Sequence, residues 1–283
     1  MGRCVIMEKN NFEERVINSF GAEWKKFDYS TFPKQDLRAN FNQYFHLFPW
    51  KSISNKSEGF DMGCGTGRWS KFVVKKVGVL NCIDPSDALD VAKNNLKKFK
   101  NVRFLRQTTD KCTLDEHSQD FGYCLGVLHH VPNTQDALKD CAKLLKPGAP
   151  FLLYLYYNLE NRPLWYRTLW RISGLFRFLI SRSPYKLKLT LSLIISIFVY
   201  LPLARLAFIS EKCGLNVRNF LLSDYRNKSF YQMYNDALDR FGTVLEKRFS
   251  KHQIIEMLEN AGLENIVFSD KPPFWCCISY KSG

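Results

Sequence analysis

No aspartate or glutamate occurs between Glu160 and Glu211. The same interval holds Arg162, Arg167, Arg171, Arg177, Arg182, Lys186, Lys188 and Arg205. The whole chain carries a formal charge of +14, but this placement says more than the total. A solvated face that only keeps a protein soluble mixes both signs with polar residues. This stretch is too apolar and too one-sided for that. Its field favours an anionic partner: membrane lipid, a phosphorylated substrate or nucleic acid.

Other shortages narrow the class further. Cysteines occur at nine positions, yet no pair has zinc-ligand spacing, so no metal is expected. Cys276 and Cys277 would face opposite sides of a strand. Most of the others fall in predicted strands or helices, where cysteine acts as a small apolar residue. A reducing cytoplasm is the compartment this implies, with peripheral membrane association as the variant suggested by the basic interval. Residues 1–11 lack the apolar core of a signal peptide, and Ile6 stands where a myristoylation signal needs Ser or Thr. There is no internal repeat and no low-complexity linker. At 283 residues and 46% apolar content, the chain suffices for one core with an appended cap.

What is present begins with Phe60-Asp61-Met62-Gly63-Cys64-Gly65-Thr66-Gly67-Arg68-Trp69. Glycines suit a chain that turns sharply and approaches a ligand closely. Asp84-Pro85-Ser86 then follows a second apolar run, which puts a carboxylate at the neighbouring strand tip within reach of ribose hydroxyls. A dinucleotide site expects Gly-x-Gly-x-x-Gly; here the third glycine comes one position early, and Asp61 would repel a pyrophosphate. Asp61 suits a ligand that carries an ammonium group. NAD and NADP are therefore not expected to bind.

The alternation of apolar runs predicts strands at 58–62, 79–84, 101–105, 120–126 and 150–157, with helices at 67–77, 86–98 and 134–145. A helix at 250–261 and strands at 264–269 and 274–280 close the chain. Helices near 11–20 and 34–47 precede the core. Four segments follow: an N-terminal helical extension (1–50), an α/β core (51–157), a basic and apolar helical cap (158–249), and a C-terminal helix with a hairpin (250–283). In the cap, Trp165, Leu169, Ile172, Phe176 and Leu179 share one helical face, with Arg167, Arg171 and Arg182 opposite. Residues 189–204 form an uncharged run. A spanning helix needs about 20 apolar residues, so a buried or interfacial helix is the preferred reading.

The glycine loop, Asp84, the Leu128-His129-His130-Val131-Pro132 stretch and Leu145-Lys146-Pro147-Gly148 together resemble the class I S-adenosylmethionine (SAM) dependent methyltransferases. They are closest to the small-molecule branch that includes ubiquinone and menaquinone biosynthesis enzymes. The likeness covers about residues 57–157 and again 250–281. It implies a doubly wound, mostly parallel seven-stranded α/β sheet and SAM as cofactor. It places Gly63, Gly65 and Gly67 beside the methionine part of SAM, Asp61 near its ammonium and Asp84 on the ribose diol. Pro85 and Ser86 would flank adenine, and Leu125 and Gly126 would line the pocket by backbone. The usual Gly-Asp pair after the third strand is absent, so Thr109 or Asp110 would contact the adenine amino group. N-terminal helices in such proteins cover the SAM pocket; packing on the sheet is the equal alternative.

His129 and His130 are the acid-base candidates, with pocket shaping as their other reading, and Tyr157 could reach the site mouth. No Asn-Pro-Pro-Tyr/Phe follows the fourth strand, the paired glutamates of arginine methyltransferases are missing, and no cysteine pair suggests the covalent route to pyrimidine C5. Methylation of oxygen or carbon on a small, amphipathic, lipid-linked or anionic acceptor is left in front, with residues 160–210 meeting a membrane surface. An RNA methyltransferase and a SAM-binding partner without turnover are the alternatives. Nucleic acid is disfavoured because the basic residues alternate with large aliphatic ones. The sequence does not determine an oligomeric state.

Overall fold

The structure, a computed structural model, describes residues 11–283. The expectations for residues 1–10, including Cys4, lie outside the described residues. Five parallel strands come first in the sheet: β1 (Glu58–Met62), β2 (Val79–Ile83), β3 (Val102–Leu105), β4 (Phe121–Leu125) and β5 (Pro150–Tyr154). After the cap come β6 (Leu263–Phe268) and β7 (Cys276–Lys281). The spatial order is β3-β2-β1-β4-β5-β7-β6, with β7 antiparallel to both of its neighbours. Chain order reverses between β1 and β4. An open α/β sheet binds its ligand in the crevice at that switch point, beyond the carboxyl ends of the strands.

Strand alternation divides the core. Phe60 and Met62 of β1 join the layer containing Phe151, Leu138 and Ile254, whereas Leu80, Phe121 and Tyr123 face the opposite layer. Helices α4 (Ala88–Leu96) and α5 (Thr134–Leu144) cover the two faces, with α10 (Lys251–Glu259) beside α5. The predicted helix at 67–77 shrinks to one turn, α3 (Ser70–Val73). The chain must return tightly there: Gly78 N–H donates to Ser57 O at 2.9 Å. A side chain on Gly78 would meet Asn55 O at 2.7 Å.

Two helices precede the sheet, α1 (Glu14–Lys26) and α2 (Lys34–Phe45). Phe41 and Phe45 of α2 stack on each other at 4.3 Å, and Phe45 meets Tyr123 of β4 edge-on. The cap leaves the core after β5 through a narrow neck. Phe249 N–H donates to Tyr156 O at 2.9 Å, and Asn158 N–H donates to Phe249 O at 3.0 Å, so the outgoing and returning chains hold each other. The predicted strand 150–157 therefore stops at Tyr154, and residues 155–158 belong to this neck.

Within the cap lie α6 (Leu164–Ile180), α7 (Tyr185–Ile195), α8 (Leu201–Lys212) and α9 (Phe230–Gly242). A π-helical turn at Ser196–Tyr200 joins α7 to α8, so 28 residues from Tyr185 to Lys212 run as one helix. That helix is long and apolar enough to cross a membrane by length and composition. Its small inner side chains, including Ala204, pack with Met233 and Ala237 of α9 around Tyr200.

Candidate active site

The glycine loop leaves β1 with Gly63 at φ +74° and Gly65 at φ +53°, a region that L side chains rarely adopt. A Cβ on Gly63 would stand 2.4 Å from Val127, so the loop is pressed against the turn after β4. At Gly65 the nearest atom to a Cβ is Trp24 Nε1 at 3.6 Å, so backbone conformation demands glycine there, not crowding. Asp84 pins the loop from β2. It accepts from Gly65 N at 2.9 Å on one oxygen, and from Ser86 N at 2.9 Å and Ser86 Oγ at 2.6 Å on the other. Burial raises the pKa of its carboxyl, against these hydrogen bonds and Arg106, which lower it.

These residues line a cavity of about 130 Å³ at the ends of β1, β2 and β4. Its wall includes Gly63, Gly65, Asp84, Pro85, Ser86, Thr109, Leu125, Gly126 and His130. Phe20 and Trp24 of α1 close it on one side, so of the two readings for the N-terminal helices α1 takes the covering one. Five candidates fall elsewhere, Tyr157 among them. Asp61 lies on the opposite side of β1 from Met62 and accepts from the Ser70 hydroxyl beneath α3, because successive strand residues point to opposite faces. Burial pushes its carboxyl up to about 7. Gly67 packs against α4, where a Cβ would come within 2.9 Å of Leu96. Asp110 is exposed and stays off the cavity wall, and accepts from Asn11 N at 3.5 Å. His129 is fully buried, and its ring lies 3.8 Å from the Tyr156 ring in a stacked geometry. Neither of its nitrogens has a hydrogen-bond partner among the described residues, and burial, then the neighbouring His130, drives its pKa well down.

Against this cavity opens a second, larger one of about 1260 Å³ between core and cap. Phe20, Trp24, Arg68, Trp69, Leu125 and Gly126 border both. Its walls toward the cap are apolar, with Leu169, Ile172, Phe176, Ile195 and Leu203. Its floor is polar and aromatic, with Tyr154, Tyr156, Asp239, Arg240 and Arg248. Tyr157 lines this second space and not the first.

Sequence reasoning missed the cap's contribution to the junction. His130 Nδ1 lies 2.6 Å from Leu245 O, and a carbonyl can only accept, so that nitrogen carries a proton and in the neutral ring Nε2 has the lone pair. Asp239 of α9 stands 3.9 Å from Nε2 and also accepts from the Tyr156 hydroxyl. A proton arriving at Nε2 would meet a carboxylate. Nearby, Glu246 is buried among Arg248 at 2.8 Å, Arg240 at 3.1 Å and Arg177 at 3.8 Å. Burial alone would raise the Glu246 pKa; the three guanidiniums, Arg248 foremost, hold it below the usual range. Asp239 and Glu246 sit over 100 residues from the glycine loop, in no motif, so nothing local marked them. Arg68 did carry a mark, since it directly follows Gly67. Its half-buried guanidinium donates to the Tyr29 hydroxyl at 2.6 Å and lies 4.8 Å from the Trp24 ring centroid.

The protein-family model described as a methyltransferase domain matches residues 60–153, the stretch that holds the glycine loop, Asp84 and the first five strands. That stretch, a third of the chain, is therefore similar to a methyltransferase domain. A ubiquinone biosynthesis O-methyltransferase of Coxiella burnetii is 35% identical over 104 residues, 36% of this chain and 43% of that protein. Its counterpart in Saccharophagus degradans is 28% identical over 156 residues, 52% of this chain and 64% of that protein. The chain thus spans less than two thirds of the length of these relatives. Among solved structures, a possible exported protein from Bordetella parapertussis matches with a TM-score of 0.52 at 14% identity, over 95% of this chain and 81% of that one. A chain in the complex of the Haloferax volcanii Trm112 methyltransferase activator gives 0.51 at 12%, over 94% and 99%. At such identity these two speak for the fold alone.

The methyltransferase cavity fits SAM on chemical grounds. Asp84 offers a buried carboxylate where ribose hydroxyls would sit. The hydroxyls of Thr66 and Thr108 also line the cavity, buried and without a hydrogen-bond partner among the described residues. Gly126 has φ +79° and no neighbour closer than 3.9 Å to a Cβ, which leaves the floor open to a ligand.

Proposed function

We propose that this protein transfers the methyl group of SAM to an oxygen of a small amphipathic acceptor seated in the larger cavity, with His130 as the base. The observation that carries the reading is the meeting of two cavities at Leu125, Gly126 and Arg68, one beside the glycine loop and one roofed by the apolar cap. The sulfonium of SAM supplies an electrophilic methyl group and leaves as a neutral thioether.

The chain's own residues then have three tasks. Asp84 and the glycine loop bind and orient the donor. The cap and α1 exclude water and align the acceptor, which is the main source of acceleration when little acid-base work is needed. His130 takes the proton from an acceptor hydroxyl at Nε2, and Asp239 stabilises the imidazolium that forms. An aliphatic tail suits Leu169, Ile172 and Phe176 on the walls, while a phenolic head suits Tyr154 and Tyr156 on the floor. The O-methyltransferase relatives from ubiquinone biosynthesis support an oxygen acceptor on a lipid-linked ring. The test is tritium transfer from labelled SAM into a cell extract divided into lipid, RNA and water-soluble fractions. Label in the lipid fraction is expected. Label in RNA would replace this reading with that of an RNA methyltransferase.

A further inference from the structure

The cap helices are turned inside out. On α6, beside the buried Ile180, several residues that contact the protein are polar or carry a polar tip. Ser173 Oγ accepts from Arg240 at 3.3 Å, Arg177 donates to Thr243 O at 2.9 Å, and the Trp170 ring lies 4.4 Å from the Arg240 guanidinium. The large apolar residues point outward: Leu164 is 76% exposed, Leu175 69% and Leu179 67%. The helix from Tyr185 to Lys212 repeats the pattern. Lys188, Ser192, Ser196 and Ala204 are buried, while Ile194, Phe198, Leu206 and Ile209 are exposed, Phe198 to 73%. Of the 18 large apolar side chains exposed among the described residues, 16 lie between Leu164 and Leu215. A helix on a water-soluble protein has the opposite polarity. Small and polar residues inside with large aliphatic ones outside is the arrangement of helices that face lipid.

We infer that the outer face of this cap lies in the plane of an anionic bilayer, with α6 and α7–α8 immersed at the level of the headgroup and acyl boundary. Charge complementarity selects anionic lipid. Arg171, Lys186, Arg205 and Lys212 are exposed on the same helices, and Arg182 on the turn between α6 and α7. The one acid there, Glu211, is held by Arg226 at 2.7 Å. Apolar burial and electrostatic attraction act together at such a surface. The helix lies on the bilayer and does not cross it, because its inner face is tied to the protein. Lys188 Nζ donates to Gly242 O at 2.9 Å, and Tyr185 donates to Ala22 O at 2.9 Å. Leu169, Ile172 and Phe176 are both exposed and part of the larger cavity's wall, so its mouth opens on the lipid-facing side. On the function proposed above, a lipid-linked acceptor then reaches Tyr156 without leaving the membrane.

Flotation of the full chain tests this, using vesicles of phosphatidylcholine alone or with phosphatidylglycerol, at low and high salt. The chain is expected to float with the anionic vesicles and to float less, but still measurably, at high salt. Arg171→Ala and Arg205→Ala should each weaken anionic-vesicle binding about fivefold. The double variant Leu175→Asp/Phe198→Asp, which touches neither cavity, should abolish flotation at unchanged circular dichroism and unchanged S-adenosylhomocysteine affinity. Three results would overturn the inference: no flotation on either lipid, with self-association in sizing runs; wild-type flotation by the double variant; or retention in membranes at alkaline pH, the mark of a spanning helix. Docking is read here without methyl transfer, so its failure leaves the proposed reaction standing, and the converse holds.

Discussion

Replacing Asp84 by alanine should disable donor binding in two ways at once. The carboxylate is buried and accepts from Gly65 N, Ser86 N and Ser86 Oγ. Without it the Gly65 N–H loses its partner in a buried place, which costs about 1–3 kcal/mol and loosens the loop. The ribose hydroxyls lose a charged acceptor worth about 1.5–3 kcal/mol. Because 1.4 kcal/mol is a factor of ten, the ribose contact alone predicts roughly 10- to 150-fold weaker binding. Asp84→Asn keeps one acceptor oxygen but presents an amide to the Gly65 or Ser86 donors, so its loss should be intermediate. Binding should also fade on the acid side sooner than an ordinary carboxylate would dictate, since burial raises the Asp84 pKa. Titration calorimetry with S-adenosylhomocysteine from acid to neutral pH reads both effects. Affinities within twofold of wild type for both variants would refute the assignment of this carboxylate to the donor site.

Three further outcomes are expected. His130→Ala should lower kcat by about 10²–10⁴-fold with donor affinity intact, whereas His129→Ala should reduce stability and leave kcat near wild type; the reverse pattern would move the base to His129. Asp61 holds its proton more tightly folded than unfolded, so stability is full at low pH and falls as pH rises through about 7, by up to about 4 kcal/mol. Melting curves of Asp61→Asn should lack that decline, and parallel curves for the two proteins would show that Asp61 ionises freely. Glu246→Gln strands Arg248, Arg240 and Arg177 together and should lower the melting temperature by roughly 5–15 °C, while an unchanged melting curve would mean that the three guanidiniums reach water.

The donor side was legible in the sequence because its chemistry is local. One glycine loop and one acid at a strand tip lie within about 25 residues, and strand periodicity placed both at the same edge of the sheet. Asp61 shows the limit of motif reading. It stands directly beside the loop, yet the two-residue period of β1 turns it under α3 toward Ser70. His129 and His130 are adjacent on the short helical turn after β4, with ring centroids 4.1 Å apart, yet His129 is buried on Tyr156 while His130 is on the cavity wall. The acceptor side was not legible. It is assembled from α1 of the N-terminal extension and from the neck and α9 of a long insertion, and no spacing rule links Asp239 to His130. The apolar stripe of α6 was visible as periodicity, but periodicity does not say which side faces the protein. Only the buried Glu246 cluster, which draws Ser173 and Arg177 inward through Arg240 and Thr243, decides that.

The most direct measurement is methyl transfer from labelled SAM to a defined pair of acceptors, a phenol bearing a long aliphatic tail and the same phenol without it. Transfer to the oxygen of the tailed phenol is predicted, with a KM far below that of the tail-less one and with kcat dependent on His130. Tight binding of S-adenosylhomocysteine with no label on either phenol, and none in a lipid extract, would contradict the account and leave a donor-binding protein without turnover.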